Sequence, residues 1–167
     1  MLSSKELLEL KLTANHVRQD CIKMSSSAQS GHPSSALSCT EILVLLYFHE
    51  LKHNPKNPEW KERDNFILSK GHACPALYSC LARTGYFPVD ELMSFRKLNS
   101  HLQGHPAAHK TKGIEASNGP LGFGLSIANG IALGKRLDKI DSFTYVVLGD
   151  GELQEGQNLE AIQTIAH

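Results

Sequence analysis

The sequence predicts an α/β fold, a parallel sheet with helices on both faces, and two observations carry that expectation. Segments with helical periodicity alternate along the chain with short apolar runs, the order that buries parallel strands beneath helices. Two of those runs, Asn65-Phe66-Ile67-Leu68 and residues 143–148, are bounded by polar or glycine residues as buried strands are.

The elements follow in order. Leu7, Leu10, Ala14, Val17, Cys21, Met24 and Ala28 recur at steps of three and four, placing one apolar stripe along a first helix. Gly31 and Pro33 end it, and a second helix is expected from Pro33 or Ser34, apolar nearly all round over residues 42–48 and therefore central. Asn54-Pro55-Lys56-Asn57-Pro58 is turn chemistry ahead of the first strand. After Gly71 a helix runs through Ala76 to Arg83 and stops at Gly85, and Pro88 opens another through Glu91 to Lys97. Residues 99–120 read as loop. Leu125, Ile127, Ile131, Leu133 and Leu137 mark the next helix, with Ala128, Gly130, Ala132 and Gly134 leaving a nearly flat face for close packing. The second strand then leads through Gly149-Asp150-Gly151 into a last helix over residues 159–165.

A chain of 167 residues is long enough for one domain with a real core. Its 17 basic and 17 acidic residues balance without blocks of like charge, which argues against nucleic acid or an anionic membrane as partner. The longest apolar run, residues 42–48, is far short of the roughly 20 residues that span a bilayer. Cys21, Cys39, Cys74 and Cys80 follow neither a metal spacing nor a secreted framework, and no apolar signal core opens the sequence, so the thiols are expected reduced, mostly buried and cytoplasmic.

Three groups of residues carry possible chemistry. The strand Tyr145-Val146-Val147-Leu148 runs straight into Gly149-Asp150-Gly151-Glu152. Ligands of α/β sheets sit beyond the carboxyl ends of strands, so Asp150 is a candidate for Mg²⁺ or Ca²⁺ bridging phosphate oxygens. The same tripeptide also fits an ordinary turn with Asp150 near a helix start. Gly119-Pro120-Leu121-Gly122-Phe123-Gly124 precedes a helix and can aim amides at an anion, or be simply a turn. His32, His72 and His105 each follow a glycine, where an imidazole can approach a ligand and exchange protons near neutral pH. His101, His105 and His109 stand four apart, but Gly104 and Pro106 argue against the helix a zinc face would need.

Taken in order, Ser30-Gly31-His32-Pro33, residues 64–73, Gly104-His105-Pro106, Gly119-Pro120-Leu121-Gly122 and residues 149–156 resemble the transketolase family over essentially the whole chain. Deoxyxylulose-phosphate synthase and the large dehydrogenase relatives share the Gly-Asp-Gly turn but match the histidine segments less well. The resemblance implies an incomplete thiamine diphosphate-binding fold, with residues 1–167 as the N-terminal diphosphate-binding domain lacking its C-terminal part. It implies thiamine diphosphate and Mg²⁺ or Ca²⁺ as cofactors and transfer of a two-carbon ketol unit between sugar phosphates. Asp150 would hold the metal, Gly151 the diphosphate, and His72, Gly119, Pro120 and Leu121 the rest of the cofactor. Catalytic roles fall to His32 and His105 on the substrate side and to Glu155 in a contact network between paired active sites. The carboxylate that activates the aminopyrimidine belongs to a pyrimidine-binding domain or subunit, so a homo- or hetero-oligomer is implied. Ser34 stands where the family often has glycine, and Phe123 where it commonly has glutamine, which touches the cofactor contact of that loop. The family's second side-chain metal ligand, an asparagine, lies further along than His167, so this chain alone is expected to be inactive. A noncatalytic binding or regulatory module is the alternative, and a metal- or phosphate-binding domain of another kind the third reading.

Overall fold

A computed structural model describes residues 2–165. The chain forms two compact units, Met1–Leu51 with His72–Gly104, and Lys52–Gly71 with His105–His167.

The first unit is helical. Helix α1, Ser4–Ala28, opens on a reciprocal cap in which the Ser3 hydroxyl accepts the Glu6 N–H and the Glu6 carboxylate accepts the Ser3 N–H, satisfying two otherwise unpaired donors. Ala14, Val17, Cys21 and Met24 are buried as the stripe requires, whereas Leu7 at its start is exposed. Helix α4, Cys74–Thr84, starts with Pro75 in its first turn and ends at Gly85, whose φ of 99° is the left-handed C-cap that glycine adopts cheaply. Residues 74–82 are all buried, and α4 packs against α1. Between them the Asp20 carboxylate accepts the Ser79 hydroxyl at 2.6 Å and the Arg83 Nε–H at 2.7 Å, so a buried charge is paired.

The expected second helix is instead three pieces: α2 (Pro33–Leu37), α3 (Thr40–Leu45) and a π-helical turn at Leu46–Glu50. The break falls at Cys39 (φ −113°, ψ 7°), where the Ser38 hydroxyl and the Cys39 thiol both donate to the Ser35 carbonyl and compete with the helical ladder. Its apolar residues are not buried all round: Leu43 and Val44 are in the core, but Ile42 and Leu45 face outward. The helix expected from Pro88 shortens to a 3₁₀ turn at Val89–Ser94, with Pro88 extended ahead of it. All four cysteines are buried and outside any disulfide, and burial pushes the Cys21 and Cys74 thiols up to about 12.

The second unit holds the sheet. Strands β1 (Asn65–Leu68) and β2 (Thr144–Val147) pair in parallel, Asn65 opposite Thr144 and Leu68 opposite Val147. The two-stranded sheet with its helices is of the α/β class the sequence predicts. Asp64 aligns the strand starts by accepting the N–H of Lys52 at 2.9 Å and of Phe143 at 2.8 Å. Helix α5 (Phe123–Leu137) packs on both strands, and α6 (Gly156–Ile165) packs on α5. Only part of the small-residue face of α5 is used: Gly124 lies against Ser69, while a Cβ at Gly130 or Gly134 would meet nothing within 4 Å. Among the described residues no helix is long and apolar enough to cross a membrane.

Candidate cofactor-binding site

The site of the second unit forms where both strands end. After β1 come Ser69 and Lys70, both buried, and after β2 come Gly149 and Asp150. The Asn118 amide donates to the carbonyls of Leu68 (2.9 Å) and Ser69 (2.6 Å), so the residue before Gly119 is pinned to the end of β1. A Cβ on Gly71 would stand 2.5 Å from the Asn118 carbonyl oxygen, so only glycine allows this approach. His105 lies beside the same loop: the Cβ position of Gly119 is 3.7 Å from its ring.

Gly122 has φ +84° and its Cβ position lies 2.9 Å from the Glu155 Cβ, so both its conformation and its space demand glycine. Glu155 is thereby set against the Gly119–Gly124 loop. Asp150 is exposed at the head of the 3₁₀ turn Gly151–Gln154 and its side chain makes no cap hydrogen bond. A Cβ at Gly151 would meet no atom within 4 Å, and the residue is exposed. Pro120 and Leu121 are exposed on the loop.

The first unit brings His32 and His72 together. Gly31, at φ +134°, turns the chain so that His32 precedes α2, and the two imidazoles stand edge to face with centroids 5.1 Å apart. The Ser35 hydroxyl lies 2.8 Å from His72 Nε2, a bond that fixes the ring whichever atom donates. An apolar groove of this unit, along α1 and α3, is lined by Leu7, Leu10, Ala14, Val44 and Leu45 and contains neither histidine.

Residues 10–167 match the family described as transketolase, thiamine diphosphate binding domain. The chain belongs to this family. It is 44% identical to the transketolase of Buchnera aphidicola from Acyrthosiphon pisum, a match that covers 93% of this chain and 24% of that protein. It is 40% identical to the 6-deoxy-6-sulfo-D-fructose transketolase subunit SqwG of Clostridium sp. MSTE9, covering 95% of this chain and 58% of that one. The solved transketolase of Leishmania mexicana superposes with a TM-score of 0.88 at 32% identity, over 95% of this chain and 25% of that chain. The chain thus spans about a quarter of the length of most transketolases it matches.

As a transketolase thiamine diphosphate-binding domain, the chain offers the donor types a diphosphate takes. Gly119 lies against the His105 ring, Gly151 is exposed, and Asp150 presents a hard oxygen donor suited to Mg²⁺ or Ca²⁺. Among the described residues no three His, Cys, Asp or Glu side chains come together as a metal cluster, so remaining oxygen ligands would come from phosphate, water or other chain.

Sequence reasoning passed over Glu152. This residue is 3% exposed, and its carboxylate accepts the Ser69 hydroxyl, the Gly122 N–H and the Gly149 N–H. Asn158 supports it from α6 by donating to its backbone carbonyl at 2.6 Å. The one available signal was a second acid closing the Gly149-Asp150-Gly151-Glu152 turn at a strand end, where unpaired backbone N–H groups collect.

Proposed function

We propose that this chain supplies the diphosphate-binding part of a transketolase site that transfers a two-carbon ketol unit between sugar phosphates, with Mg²⁺ or Ca²⁺ beside the cofactor. The observation that carries the reading is the convergence of Gly119–Gly122 and Gly149–Gly151 at the carboxyl ends of two parallel strands, with Asp150 exposed between glycines.

Thiamine diphosphate supplies carbanion stabilisation when bound, which leaves positioning and proton transfer to the protein. The backbone of Gly151 would hold the diphosphate, Gly119, Pro120 and Leu121 would lie around the rest of the cofactor, and Asp150 would hold the cation. His72, held by Ser35, would present its ring to the cofactor, and His32 and His105 would orient sugar hydroxyls and exchange their protons. Glu155, set against Gly122, would face a second active site across an oligomer contact. The pyrimidine-binding part would come from other chain, in the same protein or in a second subunit. The two-chain form draws support from the Clostridium relative, which is itself named a subunit. By this reading the 167 residues alone bind cofactor but do not turn over sugar phosphates.

Calorimetric titration of thiamine diphosphate with Mg²⁺ tests the reading. Saturable heat from the parent chain, abolished in Asp150→Ala and in EDTA, is the expected result. A folded parent chain that gives no heat overturns cofactor binding by this chain and favours a noncatalytic module.

A further inference from the structure

We propose that Glu152 is a positioning residue of the cofactor site, the group that sets the spacing between the Gly119–Gly124 loop and the Gly149–Gly151 turn. The proposal rests on the reading that these two segments hold thiamine diphosphate.

An ionised carboxylate is an acceptor only, and here three donors from three chain segments are aimed at it. Oε1 accepts the Ser69 hydroxyl at 2.5 Å and the Gly122 N–H at 2.9 Å, while Oε2 accepts the Gly149 N–H at 2.9 Å. Ser69 is tied in turn to β2, its N–H donating to the Val147 carbonyl at 2.9 Å. The ends of both strands and the start of α5 therefore meet on one side chain. Gly122 stands three residues from Gly119, and Gly149 two from Gly151, so moving either bond moves the backbone offered to the phosphates. Glutamine has nearly the shape of glutamate but must turn an N–H₂ toward one of these donors, so it cannot replace the carboxylate. Asp150, two residues earlier, makes the contrast: its acid is exposed and caps nothing, whereas Glu152 is enclosed.

The test uses the 167-residue chain with Glu152→Gln, Ser69→Ala and, as a control on the same turn, the exposed Gln154→Ala. Two quantities are read: hydrogen exchange of individual backbone amides by NMR, and the Kd for thiamine diphosphate in Mg²⁺. In Glu152→Gln the Gly122 and Gly149 amides exchange faster and Kd rises, each by about tenfold or more, as expected for lost bonds to a charged acceptor. The Ile67 and Val146 amides keep their parent rates, which separates positioning from general destabilisation. Ser69→Ala keeps the carboxylate but removes one donor, and raises Kd by about threefold. Gln154→Ala changes neither quantity. Parent affinity in Glu152→Gln overturns the proposal, and if that variant does not fold, parent affinity in Ser69→Ala does so. A folded parent chain that binds no thiamine diphosphate overturns the cofactor reading itself, an outcome distinct from equal binding by parent and variant.

Discussion

Replacing the glycines of α5 by alanine, one at a time, separates close packing from helix propensity. At Gly124 the new methyl would sit 2.5 Å from the Ser69 Cβ and 2.6 Å from its Cα, closer than real carbon atoms approach. Ser69 cannot yield, because its N–H is bonded to Val147 and its hydroxyl to Glu152. Overpacking of this kind costs about 1–3 kcal/mol. For a chain of this size that lowers the melting temperature by about 2–12 °C. Gly130 and Gly134 lie on the same helix with nothing within 4 Å of the added methyl, so only the backbone entropy of glycine is at stake. Alanine there gains about 0.5–1 kcal/mol at each position and raises the melting temperature by about 1–4 °C. Thermal unfolding followed by circular dichroism, at one protein concentration, reads all three variants. Gly124→Ala melting at or above the parent would refute the packing described for Ser69. Gly130→Ala or Gly134→Ala melting lower would show that this face is covered in solution.

Other perturbations have equally definite signs. Asp20→Ala strands the Arg83 guanidinium and the Ser79 hydroxyl, so the urea midpoint falls by the equivalent of about 2–4 kcal/mol, and adding Arg83→Ala recovers part of that loss. Burial holds the Cys21 and Cys74 thiols protonated up to about 12, above their ordinary 9.0, so the unfolded chain releases their protons first. Their contribution is complete below pH 9 and is lost between about 9 and 12 by roughly 1.4 kcal/mol per thiol per pH unit; unfolding in urea at pH 8 to 10.5, with Cys21→Ala as the flatter comparison, measures it. At the cofactor site, loss of Mg²⁺-dependent heat in Asp150→Ala and tenfold weaker binding in Glu152→Gln are the expected results.

Much of this was legible in the sequence because the signals were local. Asn65–Leu68 reads as a strand since four consecutive buried residues need no alternation, and the Gly-Asp-Gly after Val147 marks where the second strand must stop. Gly85 ends α4 because its left-handed conformation is a property of one residue. The break at Cys39 was hidden, since two side chains compete there for one carbonyl just ahead of the apolar run of residues 42–48. A run that is apolar all round also names no preferred face, so the outward position of Ile42 and Leu45 could not be read from it. Glu152 was in plain view beside Asp150, yet its burial depends on Ser69 and Gly122, which are far away in sequence. The pairing of His32 with His72 through the Ser35 region has the same origin, a tertiary meeting with no periodic trace.

The interleaving of the two units along the chain also sets an order of assembly. Synthesis runs from the N-terminus, and every segment of the helical unit has been made once Gly104 is out. Asn65 to Leu68 are made before that point, but their partners, Thr144 to Val147, come well after it. The strand must therefore wait, apolar and with its peptide groups unpaired, while α4 and the whole loop of residues 99–120 follow it from the ribosome. A parallel pairing across so long an interval is slow to close for reasons of chain entropy alone. The nascent chain thus carries Phe66, Ile67 and Leu68 without their strand partner throughout that interval, which is when a chaperone has most reason to bind them.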